Sequence, residues 1–178
     1  MFEGPSTVVI RGARMGDIPG LIDVHIASWR SAYRGQVPDQ VLADLDVTRP
    51  QRQRVWNAVL SNDRQRAFVA ERNDQILGFV NIGPARPPVD PTIGEVYAIY
   101  LNPNAWDQGL GRALFATGEK ALRSFGYRSA ILWVLATNLR ARRFYEAAGW
   151  HADGETKVEV RERWTLEEVR YSVVWGSS

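Results

Sequence analysis

The sequence predicts an α/β domain whose central mixed, mostly antiparallel sheet has about seven strands flanked by helices. Helical spacing of apolar residues dominates the first third of the chain, and strand-like apolar segments dominate the remainder. A strand over residues 95–101, a helix over 109–125 and a strand over 130–135 form one βαβ unit. The two strands of that unit should be parallel, and their crossover should be right-handed.

Length and composition narrow the class of protein. The 178 residues suit one domain, placed at 7–175 with residues 1–6 loosely attached. Without cysteine there are no disulfides, thiolate metal sites or cysteine nucleophile, and the distant His25 and His151 argue against zinc. A net charge of +2 with scattered basic residues disfavours a nucleic-acid partner. The chain lacks an apolar run near the ~20 residues that span a membrane and lacks a secretory signal, so we expect a cytoplasmic protein with no membrane partner and no metal.

The first third is predicted to hold a strand and three helices. The strand covers residues 7–11. Asp17 can cap the first helix, and Gly35 ends it. Pro38 begins a second helix, and Thr48 caps a third. Their apolar faces contain Ile18, Leu21, Ile22, His25 and Trp29 in the first, Val41, Leu42 and Leu45 in the second, and Val55, Trp56, Val59 and Leu60 in the third.

The remainder is predicted to alternate strands with two helices. The later strands cover residues 67–72, 76–82, 95–101, 130–135, 155–163 and 167–175. Residues 73–74 form the first turn, and a proline-bearing loop spans residues 84–91. The helix over 109–125 ends at Gly126 and turns six side chains inward: Leu110, Leu114, Phe115, Ala121, Leu122 and Phe125. The last helix begins at Asn138 and ends at Gly149.

The segment that links the strand at 95–101 to the next helix has the features of an anion site. Gly109 and Gly111 allow a tight turn and a close approach of a ligand to the main chain. The N–H groups of a first helical turn lack internal partners, and the helix dipole adds about half a positive charge there. A pyrophosphate fits such a site, although this glycine spacing alone occurs in many loops.

Two sequence blocks together resemble the GNAT superfamily of acyl-CoA-dependent N-acyltransferases. Residues 106–111 (WDQGLG) are similar to the family's phosphate loop, Gln/Arg-x-x-Gly-x-Gly/Ala, and depart from it at Trp106. Residues 133–150 are similar to the family pattern of a strand, an Asn at 138, and then Ala-x-x-Phe-Tyr-x-x-x-Gly-Phe. The resemblance covers about residues 7–175 and implies a GNAT fold whose two parallel strands splay apart at an acyl-CoA site.

The resemblance implies that acetyl-CoA lies between these two strands. Main-chain groups of Ile99, Tyr100 and Leu101 would pair with the pantetheine amides like an added strand. Backbone N–H groups would bind the pyrophosphate at Asp107, Gln108, Gly109, Leu110, Gly111 and Arg112. Asn138 would hydrogen-bond the cofactor arm, cap its helix, or do both. Arg112, Arg140, Arg142 or Arg143 would neutralise the remaining phosphate charge, unless these arginines only form a solvated helix face.

Two side chains are candidates for the chemistry that the resemblance implies. Tyr145 occupies the family's position for the general acid that protonates the departing thiolate, and its ordinary pKa of about 10 keeps it protonated. It would otherwise be a core aromatic beside Phe144. Glu95, fourteen residues before Gly109, is the candidate base. A carboxylate is a weak base for an ammonium, so it would act through water or after an upward shift of its pKa. It would otherwise bind the substrate ammonium or a neighbouring arginine.

The acceptor site is the least determined part of the sequence. Trp29, Tyr33, Tyr97 and Trp133 would line it, unless these aromatics belong to the core, and His25 is expected to be a packed residue. The implied activity is acetyl transfer to a primary amine of a small molecule or a peptide. A non-catalytic acyl-CoA-binding regulatory module is the alternative, whereas a Rossmann or P-loop domain is disfavoured because its further motif residues are absent. The protein would be a monomer or a homodimer paired through its last strand.

Overall fold

A computed structural model describes residues 7–161 and 164–176. The predicted loose segment at residues 1–6, and residues 162–163 of one predicted strand, lie outside the described residues. In chain order the elements are β1 (Val9–Gly12), α1 (Ile18–Ala32), α2 (Asp39–Ala43), α3 (Arg49–Leu60), β2 (Arg66–Arg72), β3 (Gln75–Pro84), β4 (Gly94–Leu101), α4 (Leu110–Ser124), β5 (Ser129–Leu135), α5 (Leu139–Ala147), β6 (His151–Arg161) and β7 (Trp164–Val174). Short 3₁₀ turns precede α1, α3 and α4.

The seven strands form one mixed sheet, which confirms the predicted architecture. Their order is β1-β2-β3-β4-β5-β7-β6, and only β4 and β5 are parallel. These two strands pair only where Gly94–Val96 of β4 meets Ala130–Leu132 of β5. Beyond Val96 and Leu132 they no longer pair, so the sheet opens toward their carboxyl ends. The predicted splay is therefore present, and it positions the site described below.

Two hydrophobic cores lie on the two faces of the sheet. Phe79 of β3 belongs to the core beneath α1 and α3, whereas Val80 belongs to the core beneath α4 and α5, as alternation along a strand requires. In α4, Leu114 and Leu122 are 0% exposed. Burying each of these leucines contributes about 2 kcal/mol, so the helix that begins at the glycine loop is firmly held to the sheet.

Several predicted local features differ from the structure. Val55 and Phe125 were expected to be buried but are 56% and 45% exposed. In α3 only Trp56 is buried, because that helix contacts the rest of the protein along a narrow stripe. Phe125 lies at the end of α4, where the Arg66 guanidinium packs over its ring. The turn at residues 73–74 is confirmed by positive φ angles of 51° and 59°.

The predicted caps of α1 and α3 also differ in detail. Asp17 and Thr48 stand at the N-cap positions, but neither side chain accepts a capping hydrogen bond from a backbone N–H of the helix that follows. Asp17 instead accepts the Arg14 N–H and pairs with Arg11, and the Thr48 hydroxyl donates to the Leu45 carbonyl. Both side chains therefore form hydrogen bonds with the 3₁₀ turn that precedes the helix. The carbonyl groups of that turn are the first partners of the helical N–H groups.

Candidate active site

The opening between β4 and β5 begins at an irregularity in β4. Asn81 pairs with Ala98 and Ile82 pairs with Val96, which leaves Tyr97 as an extra residue on β4. Such a bulge re-aims the side chains on either side of it. Glu95, before the bulge, and Tyr100, after it, consequently lie on the same face of the sheet as α1. Past the bulge, β4 has no strand partner on its β5 side among the described residues.

Tyr145 lies beside this opening. Its side chain is 8% exposed and belongs to the core under α4 and α5, with its ring centroid 5.5 Å from that of Phe115. Burial, and then the nearby Tyr100 hydroxyl, raise the pKa of Tyr145 well above its ordinary value. No hydrogen bond joins the Tyr145 hydroxyl to any described residue. The side chain therefore carries a proton at neutral pH and has a hydroxyl free to donate it.

The glycine loop between β4 and α4 adopts the conformation of an anion site. Gly109 has a φ of 76° and Asp107 a φ of 59°, both in the left-handed region. The first N–H groups of α4 follow directly and have no partner inside the helix. A Cβ placed on Gly111 would come no closer than 3.5 Å to the nearest side-chain atom, that of Phe144. A Cβ placed on Gly109 would meet no atom within 4 Å, so the main chain is open to a ligand at that residue.

Trp106, where the sequence departs from the family pattern, is built into this loop. Its Nε1 donates to the Leu101 carbonyl at 3.3 Å. The Arg140 guanidinium lies 4.0 Å from the centroid of the indole and pairs with Asp107 at 3.1 Å. The indole therefore connects the end of β4 to α5 through the loop. The sequence indicated the departure but not the arginine that packs on it.

Three of the predicted cofactor-binding side chains already have partners within the protein. The Asn138 Oδ1 accepts the Ala141 N–H at 3.1 Å and caps α5. Arg142 donates to the Tyr171 hydroxyl at 3.2 Å and to the Ala136 carbonyl at 3.0 Å, and Arg112 donates to the Ala147 carbonyl at 3.3 Å. The cap is as predicted, whereas these contacts lend no support to a phosphate role for the Arg142 side chain.

Glu95 is the most deeply buried acidic group near the opening. It is 1% exposed, and its carboxylate accepts the Arg86 backbone N–H at 2.8 Å and the Arg86 guanidinium at 2.5 and 3.0 Å. The sequence allows Glu95 to act as a base, as a binder of the substrate ammonium or as the partner of a neighbouring arginine. Of these, the structure shows the arginine partner.

The same Arg86 guanidinium lies 5.0 Å from the Tyr97 ring centroid. Burial and the Glu95 charge raise the pKa of Tyr97 to about 12, and its hydroxyl donates to the Pro84 carbonyl at 2.6 Å.

A cavity adjoins the Arg86–Glu95 pair. It has a volume of about 220 Å³ and is lined by that pair, by residues 87–89, and by Trp133 and Lys157. The Lys157 ammonium lies 4.5 Å from the Trp133 ring centroid and pairs with Glu168 at 3.0 Å. The proline-bearing loop therefore forms one wall of a cleft, which combines an apolar surface with paired charges.

The four aromatics predicted for the acceptor site fall into separate groups. Trp29 and Tyr33 lie together, with ring centroids 4.4 Å apart, and the Trp29 Nε1 donates to the Tyr100 hydroxyl at 3.2 Å. Tyr97, also on β4, packs under Arg86, and Trp133, on β5, packs under Lys157. The Tyr100 side chain, predicted only as part of a cofactor-binding segment, belongs to the Trp29 group.

His25 and Arg52 complete this group. The His25 ring stacks on the Tyr100 ring with centroids 4.7 Å apart, and the Arg52 Nη1 lies 3.1 Å from each of its nitrogens. Burial, and then the charge of Arg52, lower the pKa of His25 to about 3. The imidazole is therefore neutral at neutral pH, in agreement with the expectation of a packed histidine.

Sequence reasoning missed Asn81, Arg52 and Arg86. Asn81 is 8% exposed, and its Oδ1 is buried without a hydrogen-bond partner among the described residues. A single amide in the otherwise apolar run over residues 76–82 was the available signal. Arg52 and Arg86 gave no signal in the sequence, because only the fold brings Arg52 to His25 and Arg86 to Glu95.

Two further facts hold for residues 7–161 and 164–176. No helix there is long and apolar enough to cross a membrane. No group of three or more His, Asp or Glu side chains among the same residues could hold one metal ion.

Comparisons with known proteins agree with this geometry. The family model described as "Acetyltransferase (GNAT) family" matches residues 26–150. The uncharacterized N-acetyltransferase YuaI of Bacillus subtilis (strain 168) is 32% identical over 154 residues, 86% of each chain. The mycothiol acetyltransferase of Kocuria rhizophila is 39% identical over 85 residues, which are 45% of this chain and 28% of that protein. The crystal structure of the PaiA N-acetyltransferase of Thermoplasma acidophilum in complex with coenzyme A has a TM-score of 0.73 at 18% identity, covering 95% of this chain and 99% of that one.

Proposed function

Since this chain belongs to the acetyltransferase (GNAT) family, we propose that it transfers the acetyl group of acetyl-CoA to a primary amine by direct attack in a ternary complex. The observation that carries this proposal is the opening between β4 and β5, with the free, protonated hydroxyl of Tyr145 beside it. An acyl donor and an amine can meet at such an opening from opposite faces of the sheet.

The cofactor side of the opening supports coenzyme A as the donor's carrier. The edge of β4 over residues 99–101 does not pair with β5 and offers main-chain groups to the pantetheine amides, apart from the Leu101 carbonyl that accepts from Trp106. The left-handed turn at Gly109 and the first turn of α4 offer N–H groups to the pyrophosphate. A related fold, that of the PaiA N-acetyltransferase, was solved with coenzyme A bound.

The residues beside the opening can divide the proton transfers between them. When bound, acetyl-CoA supplies a thioester carbonyl that a neutral amine can attack, so a C–N bond forms and the C–S bond breaks. Tyr145 donates its proton to the departing sulfur and regains one from solvent. The amine loses its proton to water in the cavity beside Glu95. Because Arg86 already neutralises Glu95, we expect that carboxylate to orient the water and the acceptor.

Asn81 contributes a further polar atom on the acceptor face. By alternation along β3 its side chain lies on the face of Phe79, whose ring packs against Tyr100. A buried amide oxygen without a partner costs free energy unless water or a ligand donates to it. The Asn81 Oδ1 is therefore suited to accept a hydrogen bond from the attacking amine or from the water that takes its proton.

The test is an acceptor screen with acetyl-CoA. Free thiol release is followed with polyamines, amino acids, peptides and aminoglycosides, and the products are checked for an acetylated amine by mass spectrometry. We expect thiol release that depends on the amine and saturates with it. Tight acetyl-CoA binding without turnover on any amine would instead favour the acyl-CoA-binding regulatory module.

A further inference from the structure

Arg52 differs from the arginines around it because no carboxylate neutralises it. Arg49, on the same helix, pairs with Asp46 and Asp23 at 2.7 Å each, and Arg30 on α1 also pairs with Asp46. Arg52 has no ion pair among the described residues. Burial lowers its pKa, and Tyr100 is its one electrostatic neighbour that opposes this shift. A partly buried guanidinium is thus held close to aromatic rings without a counter-ion.

The partners that Arg52 does have are uncharged and leave most of its donors free. Its Nε donates to the Thr48 hydroxyl at 2.7 Å. Its Nη1 is equally distant, 3.1 Å, from both nitrogens of the neutral His25 ring, so it lies along the lone pair of neither. A guanidinium has five N–H donors in a fixed fork that matches a carboxylate. Two such contacts leave about three donors for a ligand.

The position of Arg52 links it to the acceptor face of the opening. His25 separates its guanidinium from Tyr100, and Tyr100 is close enough to Tyr145 to influence the pKa of Tyr145. Two other cations near the opening are neutralised, since Arg86 pairs with Glu95 and Lys157 pairs with Glu168. Arg52 therefore places an uncompensated positive charge beside the His25–Tyr100 group of the proposed acceptor face.

We propose that Arg52 binds a carboxylate of the acceptor, so that the preferred substrates are amines carrying an acid group, such as an amino acid or the free carboxyl end of a short peptide. This inference rests on the proposed acetyltransferase function and specifies its substrate class. Polyamines are disfavoured, because their second cation would meet the unpaired guanidinium. The charge-assisted, forked contact with a carboxylate is of the strong kind.

The experiment compares acceptors that differ only in the acid group. Three pairs cover three amine-to-carboxylate spacings: L-phenylalanine and L-phenylalaninamide, glycylglycine and glycylglycinamide, and 6-aminohexanoate and 6-aminohexanamide. Kinetics are measured for the native protein and for Arg52→Gln, Arg52→Lys and Arg54→Gln. Arg54 is the matched control, since it lies on the exposed side of the same helix. Thermal unfolding confirms that each variant is folded.

The expected result is a preference for the acid form. In at least one pair the native protein should show a kcat/KM about tenfold higher for the acid than for the amide, because the KM of the acid is lower. A tenfold difference matches the strength of a hydrogen bond to a charged group. Arg52→Gln should abolish the preference, Arg52→Lys should keep part of it, and Arg54→Gln should leave it intact. Equal rates for acid and amide, or a preference that survives in Arg52→Gln, would overturn the inference.

A binding measurement keeps the test independent of turnover. Calorimetry in the presence of coenzyme A measures the affinity of the N-acetylated acids for the native protein and for Arg52→Gln. Affinity about tenfold weaker in the variant is expected, and equal affinity, or no binding to either protein, would overturn the inference. Acetylation of amines without any preference for the acid form would contradict the Arg52 inference and leave the transferase proposal standing. Acid binding that depends on Arg52, with no amine acetylated, would remove the transferase proposal alone.

Discussion

The half of the molecule proposed to bind the cofactor and the half proposed to bind the acceptor are built from different kinds of interaction. The cofactor half comprises the loop before α4 together with α5, and it depends on main-chain conformation set by nearby residues. Gly109 turns the loop with a φ of 76°, and Asn138 caps α5 from three residues away. The acceptor half joins side chains that are distant in sequence, such as Trp29 with Tyr100, 71 residues apart.

This difference determines how each half responds to change. Main-chain N–H groups do not titrate, so the cofactor half should be insensitive to pH and sensitive to the size of a few side chains. The acceptor half contains the partly buried imidazole of His25, whose pKa is lowered to about 3, and the Arg86–Glu95 ion pair. Its stability and affinity should therefore vary with pH and with single charges.

The largest effect is expected at Tyr145, where the two halves meet. Tyr145→Phe removes the free hydroxyl while keeping the ring that packs against Phe115. Because general acid catalysis contributes about a hundredfold or more, kcat should fall at least tenfold, while the Kd of acetyl-CoA stays nearly the same. Steady-state kinetics and equilibrium binding measure the two quantities. Tyr127→Phe, which removes a phenol from the same core, is the control, and an unchanged kcat in Tyr145→Phe would exclude the acid role.

The sequence predicted the cofactor half more completely than the acceptor half, for a physical reason. Gly109, Asn138 and the apolar strand before the loop act through local geometry, which spacing along the chain records. The partners of Glu95 and His25 depend on tertiary contacts, and no spacing reveals Arg86 or Arg52. The same limit explains Val55, since helical periodicity predicts an apolar stripe but not how much of it another element covers.

The next effect concerns the pH dependence of stability in the acceptor half. The pKa of His25 is lowered from 6.5 to about 3 in the folded protein, so the unfolded chain binds more protons between these values. Stability contributed by neutral His25 is therefore present above pH 6.5 and is lost as the pH falls toward 3. Between pH 7 and pH 5 the loss is about 2 kcal/mol. Urea unfolding at both pH values should show that this part of the loss disappears in His25→Phe.

A matched variant isolates this effect from the general acid sensitivity of carboxylates. His151 is exposed on β6, so His151→Gln should unfold with the pH dependence of the native protein. His25→Phe retains a ring to stack on Tyr100, which keeps the packing similar. If His25→Phe lost as much stability on acidification as the native protein, the neutral imidazole would not be a determinant of the acceptor half.

The smallest effect is expected in the cofactor half, from added volume rather than charge. A Cβ on Gly111 would lie 3.5 Å from Phe144 and 3.6 Å from Leu101, which is ordinary contact, so Gly111→Ala should bind acetyl-CoA with nearly native affinity. The γ-methyl groups of Gly111→Val must displace these neighbours or cover the first N–H groups of α4. The Kd of acetyl-CoA should then rise about tenfold, roughly 1.4 kcal/mol, with the KM of the amine unchanged. Calorimetry measures the Kd of acetyl-CoA, and thiol release measures the KM of the amine. Native affinity for acetyl-CoA in Gly111→Val would mean that the phosphates bind elsewhere. A raised KM of the amine would mean that the two halves are not independent.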